Sequence, residues 1–249
     1  MASENFFVNR EKTIGIIGGM GPESGLYFLD ILFKMTKARK DQDHVPFIMF
    51  NNPKVPDRTD AILGLGPSPL PYIIEGATTL EKAGAGFIVM PCVTGHFYYS
   101  EIIKHISIPF LNLLEEVHRY ISDHLDSIKK IGLLATSGTV KSGLFQTLFS
   151  EKKVEVIAPG EKEQSLVMEA IYGERGVKAG FKKYPKKLFK QVAEHLQDKY
   201  GIDAVIAGCT EIPIALTNKD IEIPYVEPMK ILAETCIRKS GNQVRGRGV

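Results

Sequence analysis

The sequence predicts an α/β fold made of two similar halves, each built on a parallel β-sheet. Two observations carry this. Short apolar runs rich in Ile and Val alternate with longer amphipathic stretches, the pattern of βαβ units. Several segments also recur once, in the same order and at nearly constant spacing. At 249 residues the chain is long enough to bury a sizeable core.

Taken in order, "TIGIIGG" (13–19), "FIMFNN" (47–52), "GFIVMP" (86–91), "IGLLAT" (131–136), "VEVIAP" (154–159) and "DAVIAG" (203–208) read as buried strands. Residues 24–40, 71–84, 142–152 and 186–201 carry helical spacing between them. The insert "GLGPSPLPY" (64–72) reads as a proline-stiffened turn before a helix. Near the end, "KILAETCIRKS" is amphipathic, and Cys236 within it is assigned to packing. The basic, Gly-rich tail beyond it reads as a frayed terminus.

The repeat is the stronger signal. "TIGIIGGMG" (13–21) matches "KIGLLATSG" (130–138), and "EKAGAGFIVMPC" (81–92) matches "DKYGIDAVIAGC" (198–209). Gly15 and Gly132, Gly84 and Gly201, and Cys92 and Cys209 are each 117 apart. A third pair, "IPFLNLLEEV" (108–117) and "IPYVEPMKIL" (223–232), follows at a spacing of 115. Two halves related by a pseudo-twofold axis are expected. Residues 1–112 with 222–249 form the first domain, and 113–221 the second.

Composition narrows the function. A formal net charge of +2 implies no strong attraction to nucleic acid. No apolar run is long enough to span a bilayer. The first residues are polar and lack the apolar stretch of a secretory signal. Three cysteines do not make a disulfide framework, so a reducing, cytoplasmic location is expected.

A free cysteine is most often a buried small hydrophobe. The repeat argues for more. Each half has its cysteine just after a buried strand, where ligands sit in open α/β sheets. Each is soon followed by Thr ("PCVT", "GCTE") and by a candidate helix start, whose free N–H groups favour a thiolate. Facing lobes would set Cys92 and Cys209 on opposite sides of one cleft. Two acid/base groups on opposite faces of one carbon can invert it, one removing a proton and the other returning one. Metal binding needs more ligands, and both it and dithiol chemistry lack a Cys-x-x-Cys here. No metal and no cofactor are expected. A carbanion beside a carboxylate needs stabilising. The loops at 15–25 and 133–143 offer backbone N–H groups for that. "GIIGGMG" is not a G-x-G-x-x-G, and no convincing ribose-binding acid follows the next strand.

These residues resemble a known family. "IGIIGGMGP", "PDRT" (56–59), "PC-x-T-x-H" (91–96), "IGLLAT-x-GT" (131–139), "GVKAG" (176–180), "AGCTE" (207–211) and "EPM" (227–229) are similar to motifs of the aspartate/glutamate racemases. The resemblance runs from about Thr13 to Glu234. It implies two Rossmann-like (flavodoxin-like) domains with the site in the cleft between them, racemisation without pyridoxal phosphate, and commonly a dimer. It implies Cys92 and Cys209 as the two bases. Thr94 and Thr210, with Gly19, Met20, Gly21 and Ser137, would hold the α-carboxylate. Arg58 and Lys178 would receive the distal carboxylate. Arg58 offers a planar fork for it, and Lys178, between glycines, sits on a loop suited to closing over substrate.

The match breaks at Val93, where the family usually has Asn after the first cysteine. Asn can hydrogen-bond a substrate's amino group and Val cannot. The expected function is therefore racemisation of aspartate or glutamate. The alternatives are isomerisation of a related dicarboxylate or 2-substituted acid lacking the amino group, or a degenerate relative that only binds small acids. His96 either polarises a thiol, binds substrate, or is a satisfied histidine at a helix start. Glu211 either tunes Cys209 or caps the next turn. The expected partners are a small acidic substrate and a second copy of the chain, to which the apolar residues of the 64–72 insert could contribute.

Overall fold

The computed structural model describes residues 12–125, 127–150 and 154–246. The polar start of the chain, on which the reading of no secretory signal rests, lies outside them. In the first half, β1 (Ile14–Gly18), β2 (Phe47–Asn51) and β3 (Phe87–Val89) form a parallel sheet in the order β2-β1-β3. In the second, β4 (Lys130–Leu134), β5 (Glu155–Ile157), β6 (Ala204–Ala207) and β7 (Tyr225–Val226) follow the order β5-β4-β6-β7 and are also parallel. All six expected strands form.

The repeat is visible in the backbone. Ile88 N donates to Pro109 O at 2.8 Å, and Val205 N donates to Pro224 O at 2.9 Å. Ile88 pairs with Phe110, and Val205 with Tyr225. The third repeated segment is thus the same edge addition in both sheets. The repeated glycine has a packing reason as well. A Cβ on Gly15 would lie 2.8 Å from Ala85 Cβ, and one on Gly132 would lie 2.5 Å from Ile202 Cδ1. Ala85 and Ile202 are themselves 117 apart.

The helices in chain order are α1 (Pro22–Met35), α2 (Arg58–Leu63), α3 (Leu70–Lys82), α4 (Tyr99–Ile102), α5 (Leu113–His124), α6 (Ser137–Ser142), α7 (Leu144–Phe149), α8 (Glu161–Tyr172), α9 (Lys183–Tyr200), α10 (Ile212–Ala215) and α11 (Pro228–Lys239). Three differ from expectation. α1 stops at Met35, because Thr36 turns extended and joins the tail: Lys37 N donates to Gln243 O at 2.8 Å and Arg245 N to Met35 O at 2.6 Å. The tail expected to fray is tied down through Arg245. The helix expected at 142–152 is two, divided at Gly143, whose φ of 67° ends α6; residues 151–153 lie outside the described part. α8 is mostly polar and buries only Val167, Ala170 and Ile171, too few to stand out in the sequence.

Strand side chains alternate between two buried faces. Ile14 and Ile16 point to one core cluster and Ile17 to another; Ile131 and Leu133 share the first, and Leu134 faces a third. The shared cluster holds Phe28, Phe87, Phe145, Ile206 and Leu232 from both halves. Each such side chain contributes about 1.5–3 kcal/mol on burial, so the halves are welded through it. α5 packs on α7, and α11 packs on both α1 and α5. Tyr225 and Val226, read from sequence with the first half, extend the second sheet; the chain returns to the first half with α11. Among the described residues no helix is long and apolar enough to cross a membrane.

Candidate active site

Cys92 and Cys209 follow β3 and β6, which lie beside β1 and β4 in their respective sheets. They are 4% and 5% exposed. Both line one small cavity with Met20, Arg58, Val93, Thr94, Lys178, Thr210 and Glu211, all expected from sequence. Its free space is about 10 Å³, room for about one water. A wider groove of about 1110 Å³, between the ends of α1 and α5, β7 and α11, holds neither cysteine. The smaller cavity is taken as the site because the reactive groups converge there.

Arg58 is placed by the turn before it. Asp57 caps α2, its Oδ1 accepting from Thr59 N at 2.7 Å and Asp60 N at 3.1 Å, so Arg58 is the first helical residue. Its side chain is buried. Nη1 donates to Pro56 O at 3.2 Å, and Nε has no protein partner. Burial opposes its charge, but Cys92, Asp57, Tyr172 and Glu211 together raise its pKa. Lys178 lies on a short turn that ends at Gly180, where φ is 88°. Its Nζ donates to Glu211 Oε1 at 2.6 Å. Burial would lower the pKa of Lys178, and Glu211 and Cys209 more than offset it.

Glu211 is buried and does not cap α10. Its Oε2 accepts from Cys209 Sγ at 3.0 Å and from Thr210 Oγ1 at 3.2 Å. Burial raises its pKa, but Lys178, Cys209 and Arg58 bring it below the usual carboxylate range. Burial and then Glu211 push the Cys209 thiol well up, with Lys178 partly opposing. Cys209 is therefore held as a thiol. Gly21 borders this group: a Cβ there would sit 3.2 Å from Glu211 Oε1 and 3.3 Å from Lys178 Nζ.

Thr94 joins the halves through hydroxyls. Its Oγ1 lies 2.8 Å from Thr139 Oγ1 and 3.2 Å from Thr136 Oγ1. Three expected residues do not line the cavity: Gly21, which only borders Glu211 and Lys178, and two that point away. Ser137 turns to α8, its Oγ accepting from Gln164 Nε2 at 3.2 Å. Gly19, with φ 95°, packs on Asn52, where a Cβ would lie 2.2 Å from the carbonyl oxygen. Three lining residues escaped sequence reasoning: Thr59, Thr136 and Tyr172. Thr59 sits in the "PDRT" motif, and Thr136 is 117 beyond Gly19, so both were findable. Tyr172 carried no signal.

His96 is the satisfied histidine of the alternatives. It is 3% exposed; Nδ1 donates to Cys92 O at 2.8 Å and Nε2 accepts from Leu113 N at 3.1 Å. The partners fix the tautomer, since a carbonyl must accept and a peptide N–H must donate. Burial lowers its pKa to about 4, against hydrogen bonds that raise it. The unfolded chain binds this proton near pH 6.5 and the folded one only near 4, so folded stability falls as pH drops through that window. The loss is about 3 kcal/mol at the acid end. Urea unfolding from pH 7.5 to 4.5 should show wild type losing more stability than His96→Gln, and parallel curves would refute the assignment.

Two lobes of similar topology, with a thiol, a cation and hydroxyls from each around one cavity, make a two-lobed α/β protein with a cation-lined cleft between them. The chain belongs to the Asp/Glu/Hydantoin racemase family, whose model matches residues 17–236. It is 29% identical over 230 residues to the broad specificity amino-acid racemase RacX of Bacillus subtilis, covering 90% of this chain and 96% of that one. Against the glutamate racemase of Aquifex pyrophilus it is 30% identical over 155 residues, 61% of this chain and 55% of that one. Among solved structures, the aspartate racemase of Picrophilus torridus superposes with a TM-score of 0.85 at 30% identity, over 94% of this chain and 96% of that one.

Proposed function

We propose that the protein racemises an acidic amino acid, aspartate or glutamate, without a cofactor, passing the α-proton between Cys92 and Cys209. The observation that carries this is one cavity lined by both cysteines and by two cations, Arg58 and Lys178. A thiolate on one side takes the α-proton. The electron pair left on carbon delocalises into the α-carboxylate. The thiol opposite gives its proton to the far face and becomes the thiolate. Cys209, hydrogen-bonded to Glu211, suits the donor in one direction. Cys92, which lines the same cavity, is then the base in that direction.

The test is deuterium exchange at the α-carbon in D₂O. Acidic amino acids should exchange fastest in a screen that also contains neutral and basic amino acids, because a relative of similar length is named for broad specificity. Faster exchange of neutral or basic amino acids would overturn the acidic assignment.

Val93 motivates a second reading, with a substrate lacking the amino group. Its side chain is buried at the cavity and offers no hydrogen bond. If it only weakens amino-group recognition, Val93→Asn should raise kcat/KM for aspartate about 5- to 20-fold. No gain, together with rapid exchange of malate or another dicarboxylate by the wild type, would favour the second reading.

A further inference from the structure

The geometry points to Tyr172 as a positioning residue, a clasp that closes the cleft and orders the two cations over it. Tyr172 ends α8 in the second half. Its hydroxyl donates to Asp57 Oδ2 at 3.0 Å, across to the first half. Asp57 spends its other oxygen capping α2, so the clasp closes on the turn that places Arg58. On the other side, the Lys178 ammonium lies over the Tyr172 ring, 5.3 Å from its centroid. Tyr172 therefore touches the supports of both cations that would meet one carboxylate. It also lines the cavity itself. Lys182 and Glu23, 3.3 Å apart, tie the same loop to the first half, but that pair is exposed and worth little alone.

With about 10 Å³ of free space, the closed cleft cannot admit an amino acid. Entry requires the halves to part locally, and the Tyr172–Asp57 bond is a contact across the mouth that must break and re-form. The role in substrate binding rests on the proposed racemase reading; the clasp itself does not.

Thiol alkylation tests it without turnover. Tyr172→Phe removes the hydroxyl and keeps the ring under Lys178. Asp57→Ser keeps a helix cap but is too short to reach Tyr172. Each should speed iodoacetamide modification of Cys92 and Cys209 about three- to tenfold, the range for one hydrogen bond. The double variant should be no more than about twofold faster than either single one, since both break one contact. Cys236, fully buried in α11, is the internal control and should stay at its wild-type rate. Tyr172→Phe should also raise KM for aspartate about tenfold with a smaller change in kcat. Wild-type alkylation in Tyr172→Phe, additive gains in the double variant, or an equal gain at Cys236 would each overturn the clasp. If no amino acid exchanges deuterium while alkylation responds as expected, the racemase reading falls and the clasp stands.

Discussion

Serine at position 92 or 209 is expected to lower racemisation by about a thousandfold or more, within the range for a lost general acid or base. The substitution keeps the size of the side chain but moves its pKa far above neutrality, so proton abstraction becomes very slow. Folding should survive, because a serine hydroxyl can donate to Glu211 as Cys209 Sγ does. Cys236→Ser is the contrast. That residue has no exposure, and its neighbours are the α11 core. It should cost about 1–3 kcal/mol of stability and leave turnover per folded molecule unchanged. In D₂O the wild-type protein should put deuterium mainly into the inverted product at early times, because the returning proton comes from the other thiol. A folded Cys92→Ser protein that racemises at the wild-type rate would leave Cys92 a buried hydrophobe and nothing more.

Much of the fold was legible because the halves repeat. The strands carry continuous apolar runs, as strands buried on both faces must, and the spacing of 117 ties Cys92 to Cys209 in the sequence itself. What stayed hidden was set by contacts distant in sequence. The tail is ordered by pairing with residues 36–37, about 200 positions away, and nothing in its composition reports that. β7 is two residues long and is defined by its neighbour β6. At the site, motifs found the residues that touch the cavity through short, regular turns. They missed Tyr172, whose role depends on meeting Asp57 across the cleft. The ambiguity over Glu211 was also a question of direction. The sequence could place it after Cys209, but only the side-chain geometry shows it turned back onto the thiol and Lys178.

Arg58→Ala should pair a modest loss of stability with a larger, substrate-dependent loss of function. Arg58 Nε has no partner among the described residues of the protein, and the guanidinium feels the charges of Asp57 and Glu211. A substrate carboxylate would satisfy it, and Arg58 can present a fork to that group. Removing the side chain also takes a cation away from buried Glu211, so stability should fall by about 1–3 kcal/mol. The same change should cut kcat/KM for aspartate about 10- to 100-fold, in line with a lost hydrogen bond to a charged group. Alanine, which has no distal carboxylate, should lose less. Some loss is common to all substrates, because Arg58 lines the same small cavity as Cys92. Arg58→Lys divides the two contributions: it keeps a positive charge near Cys92 but not the planar fork. Turnover of alanine should recover in Arg58→Lys more completely than turnover of aspartate. Equal losses for aspartate and alanine in Arg58→Ala, equally restored by lysine, would mean that Arg58 serves the thiol alone and that the distal carboxylate is bound elsewhere.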